Sequence, residues 1–491
     1  MEYVSTRSRH AVGTSAEAIL KGIAPDGGLY MPSDFQSMHV DVKRVLLYSA
    51  IELSSTVIGR VFPDFSTKEM RALVERAYQD KFDAADLTPL AHVGDTFVLE
   101  LFHGPTAAFK DVALSVLPQL IVASREKLAV TDDVVILTAT SGDTGKAALE
   151  GFRDVPGTRI AVFYPDGGVS DVQRMQMVTQ EGGNVLVCAV RGNFDDCQTG
   201  VKRIFASDQA EGWAAEKGVR LSSANSINLG RLAPQIAYYF KAYNDLVLTG
   251  SVALGEKVNF VVPTGNFGDI LAGEFARRMG LPVDRFICAS NANNVLTDFI
   301  RTGVYDRRRD FLKTISPSMD ILISSNLERY LYLLTEGDTD QVAAWMKALS
   351  EEGVYSIGEE RCAVMQEHFS GYCADDGAAM EVIGRVWNEY NYLIDPHTAV
   401  AWSALEQYRT ETDDNTPTVV LSTASPYKFC RDVLTAIAGE APEDGFEAMD
   451  KLHALTGVDV PRGLASLRDR EVRFADSIAA DDMRAYVEDR L

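Results

Sequence analysis

One local pattern, repeated three times, constrains the fold of this chain more than any other feature. In each copy a run of β-branched residues leads through a polar, glycine- or serine-containing loop into a helical pattern, at 134–138, 258–262 and 418–422. Strands that alternate with helices in this way predict parallel β-sheets covered by helices. Further apolar runs at 159–164, 184–190 and 286–289 add strands whose continuous hydrophobicity is typical of sheets buried on both faces.

Residues 1–88 show a different, mainly helical pattern. Ser15 is expected to cap an apolar periodic run that ends at Leu20, and two further runs cover 42–57 and 68–77. Because 491 residues exceed the size at which one hydrophobic core keeps growing, we expect several domains. They are a helical domain (1–88), a smaller α/β domain (89–250) and a larger α/β domain with a helical C-terminal part (251–491), which ends in a charged helix at 479–491.

Charge and cysteine content restrict the classes of function. A formal net charge of -23 repels nucleic acid and anionic membranes, and no long basic run offsets it. The six cysteines show neither paired spacing nor zinc-ligand spacing with histidine, so we expect no disulfide framework and no metal. Without an apolar stretch of about 18 residues or a signal-peptide pattern, a cytoplasmic protein is expected.

Lys110, in HGPTAAFKDVALSVL, lies where a helix is expected to begin, near Ala107. A positive charge in the first turn is unfavourable because the helix dipole is positive there. An uncharged or imine-bound amine avoids this cost, since positive surroundings lower a lysine pKa. Lys110 is therefore a candidate nucleophile; the alternative is an exposed lysine whose aliphatic stem packs on Phe109.

The loop TSGDTG also has two interpretations. It joins a predicted strand to a predicted helix through Ser141, Gly142, Asp143 and Thr144. The backbone N–H groups of such a turn bind carboxylate or phosphate, and glycine lets the anion approach closely. The alternative is a tight structural turn in which Asp143 caps the helix.

A second glycine loop and a threonine complete the candidate site. In VVPTGNFGDILAG, Gly265 and Gly268 frame Asn266 and Phe267 ahead of a helix, which predicts a phosphate cup or, alternatively, a structural turn. Thr423 follows the strand at 418–422, at the carboxyl end where open α/β sheets bind ligands. Its alternative is an ordinary strand end.

Together these segments resemble threonine synthases, which are fold-type II pyridoxal-phosphate enzymes related to the tryptophan synthase β-subunit. The resemblance rests on HGPTAAFKD, SGDTG, GNFGD and LSTASPYKF. Segments more specific to the family are STR with LKGIAPDGGLYMP, PDGGVSDVQRMQM, GNFDD, NSINLGRLAPQ and SPSMDILISSNLER. The resemblance covers most of the chain and implies a tryptophan-synthase-β-like α/β fold, with parallel sheets flanked by helices and a mainly helical N-terminal domain.

The resemblance also implies roles for particular residues. Pyridoxal 5'-phosphate is the implied cofactor, with Lys110 as its Schiff-base lysine and Thr423 at its ring nitrogen. The implied residues around the cofactor phosphate are Gly265, Asn266, Phe267, Gly268 and Asp269. Candidates for substrate binding are Ser141, Gly142, Asp143, Thr144, Lys146, Asn225, Ser226, Asn228 and Arg231. For Arg231 the alternative is a salt bridge at a domain seam.

The implied activity is that of a carbon–oxygen lyase acting on phosphate. It converts O-phospho-L-homoserine and water to L-threonine and phosphate by γ-elimination and β-addition of water. A close alternative is a phospholyase that releases 2-oxobutyrate; a different class is a non-catalytic α/β binding module, against which Lys110 counts. The expected partner is a small-molecule substrate, without nucleic acid or membrane, and the chain is expected to be a monomer or homodimer.

Overall fold

The N-terminal part of the chain forms helices beside a small antiparallel sheet. The computed structural model describes residues 1–490, without the side chain of Ala210. The first elements are β1 (Tyr3–Ser5), β2 (Ala11–Val12), α1 (Ser15–Lys21), β3 (Tyr30–Pro32), α2 (Val42–Val45), α3 (Ala50–Val61) and α4 (Thr67–Tyr78). The strand order is β2-β1-β3. The sequence did not predict these strands because two or three residues are too few to show a period of two.

The helix starts in this part follow local capping chemistry. Ser49 and Glu52 form a capping box at α3, which divides the expected run 42–57 into two helices. The cap of α1 is Thr14, whose hydroxyl accepts from the N–H of Glu17; Ser15 is the first helical residue and not the predicted cap.

The middle of the chain contains the smaller sheet. Its elements are β4 (Leu90–Val93), β5 (Thr96–Glu100), α5 (Lys110–Lys127), β6 (Asp133–Ala139), α6 (Asp143–Phe152), β7 (Thr158–Pro165), α7 (Asp171–Val178), β8 (Val185–Arg191), α8 (Phe194–Glu211), α9 (Trp213–Glu216), β9 (Val219–Ser222) and α10 (Leu229–Leu248). Strands β6 to β9 form a parallel sheet in the order β8-β7-β6-β9.

The rest of the chain forms the larger sheet and the C-terminal helices. Its elements are β10 (Val258–Pro263), α11 (Gly268–Arg278), β11 (Val283–Ser290), α12 (Val295–Thr302), β12 (Val304–Asp306), α13 (Leu327–Leu334), α14 (Thr339–Glu351), β13 (Val354–Ser356), α15 (Glu359–Gln366), β14 (Phe369–Cys373), α16 (Asp376–Tyr390), α17 (Pro396–Thr412), β15 (Thr418–Ser422), α18 (Cys430–Ala438), α19 (Gly445–Thr456), α20 (Arg462–Ala465), β16 (Ser477–Ala479) and α21 (Met483–Glu488). Short 3-10 turns lie at Gln36–Met38, Pro317–Met319, Pro426–Phe429, Leu467–Asp469 and Ala480–Asp482.

The larger sheet has the order β14-β11-β10-β15-β5-β4, and all its pairs are parallel except β4 with β5. Its central strands are buried on both faces: Val419 and Leu421 of β15 point into one core cluster and Val420 into another. The predicted α/β fold with parallel sheets flanked by helices is confirmed. The run at 418–422 coincides with β15.

Strand pairing crosses the expected domain bound between residues 250 and 251 twice. Strands β4 and β5 lie within 89–250 but belong to the larger sheet, whereas β16, near the C-terminus, pairs with β8 of the smaller sheet. Pairing between strands distant in sequence leaves no local signal, so the predicted bounds do not separate the two sheets.

The C-terminal end differs from the expected helix at 479–491. Strand β16 ends at Ala479, a 3-10 turn follows, and α21 ends at Glu488. Leu491, the last residue of that predicted helix, lies outside the described residues. Within 1–490 no helix is both long and apolar enough to cross a membrane.

Candidate active site

Lys110 is the first residue of α5, and its side chain is buried at 8 % exposure. The helix begins three residues after the predicted start because Ala107 has φ 58°, in the left-handed region. The alternative of an exposed lysine is wrong. Since burial without a partner is unfavourable for an ammonium group, the contacts of this amine determine its charge.

Ser318 provides the hydrogen bond to that amine. The Lys110 Nζ donates to Ser318 Oγ at 2.9 Å, across 208 positions of sequence. The backbone N–H of Ser318 donates in turn to His397 Nε2 at 3.2 Å. His397 Nδ1 therefore carries the ring hydrogen and donates it to the buried carboxylate of Asp395 at 2.6 Å. The lysine thus rests on a turn that a buried histidine holds in place.

Asp143 is the carboxylate of the site. Its Oδ1 accepts from Lys428 Nζ at 2.7 Å and from Gln173 Nε2 at 2.9 Å, and its Oδ2 lies 3.8 Å from Lys110 Nζ. The predicted alternative, Asp143 as a helix cap, is wrong, because Gly142 occupies the cap position of α6. Asp143 occupies the first helical position and directs its side chain at two buried lysines.

These contacts shift the protonation of the groups. Burial lowers the pKa of Lys110 to about 8; Asp143 opposes the shift, and the positive charges of Arg231 and Lys428 add to it. Burial acts to raise the pKa of Asp143, but the charges of Lys428 and Lys110 outweigh it and hold that pKa well below the usual range. The site therefore contains a carboxylate that stays ionised and a lysine whose pKa, about 8, lies well below that of an ordinary lysine.

The GNFGD loop lies against the same turn as Lys110. A Cβ at Gly265 would come within 2.5 Å of the Ser318 carbonyl oxygen, so the loop and the turn touch through backbone. Phe267 caps α11 with φ 61°, which turns the chain so that the helix begins at Gly268. The first N–H groups of a helix have no intrahelical partner and attract an anion.

Ser226 and Asn326 close the other side of this loop. A Cβ at Gly268 would approach Ser226 Cβ at 3.3 Å and Asn326 Nδ2 at 3.4 Å. The N–H of Asn326 donates to the Asn266 carbonyl at 3.0 Å, and its side chain donates to Ser226 Oγ at 3.0 Å. The cradle is therefore bounded by polar groups and leaves little room for a side chain at Gly268, which suits an anion-binding loop.

Asp269 has surroundings that the sequence did not indicate. Its Oδ1 accepts from the hydroxyls of Tyr238 (2.5 Å) and Tyr239 (2.9 Å), while its Oδ2 is buried without a hydrogen-bond partner among the described residues. Burial raises its pKa to about 6, and the tyrosine bonds oppose the rise. The side chain anchors the start of α11 to α10.

Thr423 lies beside the lysine. Its carbonyl accepts from the N–H of Phe109 at 2.9 Å, and Ala424 forms a bridge with Ala108, so the end of β15 runs along the segment that precedes α5. The Thr423 side chain is only 5 % exposed, so the end of β15 is buried next to the segment that leads into Lys110.

The candidate residues of the NSINLGR segment differ in whether protein groups already occupy their polar atoms. Asn228 caps α10 with its Oδ1 and donates through Nδ2 to Ile19, so both ends of its amide have protein partners. Arg231 is buried, donates to the Ala224 carbonyl at 2.5 Å, and burial lowers its pKa to about 10. Burial alone accounts for this shift, and no carboxylate of the described residues forms a salt bridge with Arg231, which contradicts the domain-seam alternative. Asn225 is exposed.

The remaining predicted residues lie on and around α6. Ser141 and Thr144 are half-buried, and Gly142, with φ 138°, faces the Gln173 side chain. Lys146 is buried and donates to Gln180 and to Glu150. Burial lowers its pKa to about 8. Its partners are not those of the Lys110 amine, so the structure does not bring Lys146 into the network around Ser318.

Arg329 lies behind the cradle and is fully buried. Its guanidinium donates to the carbonyls of Tyr30 (3.0 Å) and Ile227 (2.5 Å) and to Asn326 Oδ1 (2.5 Å). Burial lowers its pKa to about 9. The N-terminal domain and the NSIN segment are thereby joined to the wall of the glycine loop.

Sequence reasoning missed several side chains at the site: Gln173, Ser318, Asn326, Arg329, Asp395, His397 and Lys428. Lys428 offered the clearest signal, since it stands five residues after Thr423 in a segment already selected. Gln173 lies in PDGGVSDVQRMQM, and Ser318, Asn326 and Arg329 lie in SPSMDILISSNLER, but the sequence assigned none of them a role. Asp395 and His397 lie in none of the quoted segments and meet the site only through the fold.

The site fits pyridoxal phosphate. A glycine cradle at a helix start suits its phosphate, a buried lysine with a lowered pKa suits its aldehyde, and the Thr423 hydroxyl suits its ring nitrogen. Fold and site together define a fold-type II pyridoxal-phosphate-dependent enzyme. The family model described as pyridoxal-phosphate dependent enzyme matches residues 85–424.

Models for the threonine synthase N terminus and C-terminal part match residues 2–78 and 398–487. The threonine synthase of Pseudomonas aeruginosa is 39% identical over 90% of this chain and 92% of its own length. The chain belongs to the threonine synthase family. Human threonine synthase-like 1 is 38% identical over 86% of this chain, but the match spans only 58% of that relative.

Solved structures give the same family. The pyridoxal-phosphate-bound threonine synthase of Brucella melitensis superimposes with a TM-score of 0.87 at 35% identity, covering 100% of this chain and 98% of that one. Yeast threonine synthase superimposes with a TM-score of 0.86 at 32% identity, covering 99% and 98%.

Proposed function

We propose that this chain is a threonine synthase, which converts O-phospho-L-homoserine and water to L-threonine and phosphate. The observation that carries the proposal is the contact of Lys110 with Ser318, whose backbone abuts the GNFGD loop at Gly265. It joins the reactive amine to the anion cradle through one turn. Relatives named threonine synthase that match over nearly their full length support it.

In this proposal Lys110 is the residue to which the cofactor is attached and the base that acts on the substrate. Bound pyridoxal phosphate supplies an electron sink that stabilises negative charge on substrate carbon. With a pKa of about 8, a larger fraction of Lys110 is uncharged near neutral pH than of an ordinary lysine, and the uncharged amine can accept the proton from the substrate α-carbon. Ser318 holds the amine in place while its charge changes, since a hydroxyl both donates and accepts.

The residues of the glycine loop hold the cofactor phosphate. Gly265, Asn266, Phe267 and Gly268 supply N–H donors at the start of α11, and Asp269 fixes that helix to Tyr238 and Tyr239. Thr423 would offer the ring nitrogen a neutral hydroxyl and no carboxylate, and such a partner would leave that nitrogen largely unprotonated.

Arg231 is the leading candidate for the substrate phosphate. Its guanidinium is buried near Lys110 without a carboxylate partner in the described chain, and such a cation favours an anionic ligand. Ser226 and Asn225 are neighbouring donors. Asn228 and Lys146 rank lower because protein groups already occupy their polar atoms. Ser141, Gly142 and Thr144 face the substrate carboxylate.

Compartment and assembly are further parts of the proposal. All six cysteines are free thiols, and five of them are buried, as is usual in a reducing cytoplasm. We propose a cytoplasmic enzyme, either a monomer or a homodimer, whose partner is its small-molecule substrate.

The test combines product analysis with a matched pair of lysine variants. Purified protein loaded with cofactor is given O-phosphohomoserine, and phosphate, threonine and 2-oxobutyrate are measured. Equal amounts of phosphate and threonine, lost in Lys110→Ala and kept in Lys241→Ala, support the synthase. Lys241 is a suitable control because it pairs with Asp245, away from the site.

Two other outcomes would overturn the proposal. Phosphate with 2-oxobutyrate identifies the phospholyase, which does not retain the amino group. A wild-type protein that develops no absorbance band of bound cofactor and forms no product would favour a non-catalytic binding module.

A further inference from the structure

Three buried charged side chains meet at one point of the site. The carboxylate of Asp143 lies 2.7 Å from Lys428 Nζ and 3.8 Å from Lys110 Nζ. All three side chains are less than 10 % exposed. One carboxylate cannot neutralise two ammonium groups, so burial at this point favours a single ammonium.

The hydrogen bonds indicate which lysine carries that charge. Lys428 Nζ has only acceptors around it, the Asp143 carboxylate and the Thr106 carbonyl at 2.9 Å, which suits an ammonium. Lys110 Nζ is bonded to a hydroxyl instead, Ser318 Oγ at 2.9 Å. A hydroxyl serves a neutral amine equally well.

The remaining charges near Lys110 come from α10 and from α5 itself. Arg231 on α10 adds positive potential, and Asp111, next to Lys110 on α5, adds negative potential. The Asp111 carboxyl is bonded by the N–H and hydroxyl of Thr106. Asp143 and Asp111 both favour a protonated Lys110, but neither carboxylate is hydrogen-bonded to it. Lys428 engages Oδ1 of Asp143, and Oδ2 accepts from Ser318 Oγ at 3.4 Å.

We propose that Lys428 is a positioning residue that neutralises Asp143 and so keeps the amine of Lys110 uncharged and able to bind the cofactor aldehyde. The inference rests on the proposed attachment of the cofactor to Lys110. Without Lys428, the nearest cation to Asp143 is Lys110 itself, and the repulsion between the two lysines is also lost. Both changes favour a protonated Lys110.

The pH dependence of cofactor attachment measures this directly. Full-length protein freed of cofactor is mixed with pyridoxal phosphate between pH 6 and pH 10, and the rate of growth of the bound-cofactor absorbance is followed. Only the uncharged amine attacks an aldehyde, so the midpoint of the rate profile reports the titration of Lys110. Titrations of free pyridoxal phosphate are common to all variants and cancel in the comparison.

Lys428→Met is expected to move this midpoint upward by about one to three pH units, the usual effect of a charge within a few ångströms. Lys428→Arg retains the positive charge, so its midpoint should lie close to that of the wild type. Lys241→Met, which removes a lysine from an ion pair elsewhere, should leave the midpoint unchanged. A folded Lys428→Met protein with the wild-type midpoint, or an arginine variant as shifted as the methionine variant, overturns the proposal.

A second variant covers the case in which Lys428→Met does not fold. Removing both members of a buried ion pair is tolerated better than removing one. The double variant Asp143→Asn/Lys428→Met is expected to have a midpoint close to wild type, and Asp143→Asn alone a midpoint below it. A double variant shifted upward would refute the proposal. Failure of the wild type, or success of Lys110→Ala, in forming the band would instead refute the cofactor role of Lys110.

Discussion

Gly265→Ala tests the contact between the glycine loop and the turn that supports Lys110. The added Cβ would lie 2.5 Å from the Ser318 carbonyl oxygen and 3.4 Å from Met319 Cα, both backbone atoms that cannot rotate away. To reach an ordinary contact of 3.4 Å, the turn must retreat by about 0.9 Å. The bond from Lys110 to Ser318, now 2.9 Å, would then exceed the range of a hydrogen bond.

Two effects of known size follow from that displacement. Overpacking of this kind destabilises a protein by about 1 to 3 kcal/mol. If the displaced loop loses a hydrogen bond to the charged cofactor phosphate, cofactor binding weakens about tenfold to hundredfold, since hydrogen bonds to charged groups contribute about 1.5 to 3 kcal/mol. Backbone strain adds nothing, because Gly265 is not among the residues with positive φ.

The assay is a cofactor titration followed by the absorbance of the bound form, together with thermal unfolding of the cofactor-free protein. Gly59→Ala is the matched control: it lies in the interior of α3, where its Cβ would meet only Met70, at 3.7 Å. This control should stabilise the protein by about 0.5 to 1 kcal/mol and leave cofactor affinity alone. A Gly265→Ala protein that binds the cofactor within threefold of wild type would refute the steric reasoning.

Three further changes test the surroundings of the site. His397→Ala leaves the buried Asp395 carboxylate without its 2.6 Å partner, so the free energy of unfolding measured in urea should fall by about 3 kcal/mol. An unchanged urea midpoint would contradict the role of His397 in holding the Ser318 turn. Arg7→Ala removes two hydrogen bonds, at 2.8 and 2.7 Å, from the buried Glu328 carboxylate, and the melting temperature should fall while Arg7→Lys retains part of the stability. Asp269→Asn keeps an acceptor for the tyrosines but removes an ionisation whose pKa rises to about 6 on folding. A carboxyl whose pKa is raised on folding destabilises the wild-type protein as pH increases from 3.8, the unfolded value, through 6. The variant should therefore be more stable than wild type by up to about 3 kcal/mol at pH 7 and equally stable near pH 3. A stability gain that does not depend on pH would contradict the raised pKa of Asp269.

The sequence predicted the parts of the fold that depend on local pattern. The runs at 134–138, 258–262 and 418–422 are strands of the two sheets, and the loops after them open α6, α11 and a 3-10 turn. Strands of this length contain enough consecutive apolar residues to be recognised in the sequence. The strands β1 to β3 have two or three residues and no such signal.

For the site, too, the sequence predicted what local pattern determines and not what the packing of distant segments determines. A cation at a helix start is unfavourable to the helix dipole, which makes Lys110 a candidate, and glycine before a helix predicts that the two loops bind an anion. Ser318 and His397 follow no such rule. They stand 208 and 287 positions from Lys110 in the chain, and only the packing of the 3-10 turn against the larger sheet brings them together.

The buried Asp395 carboxylate links the two groups that meet opposite ends of the cofactor in the proposed function. Its Oδ2 holds His397, which holds the Ser318 turn beneath Lys110. Its Oδ1 accepts from Thr398, whose hydroxyl lies 2.9 Å from that of Ser422, the residue before Thr423. Because one carboxylate fixes both branches, the spacing between the lysine and Thr423 is set by the start of α17. A substitution there should therefore disturb both ends of the cofactor together.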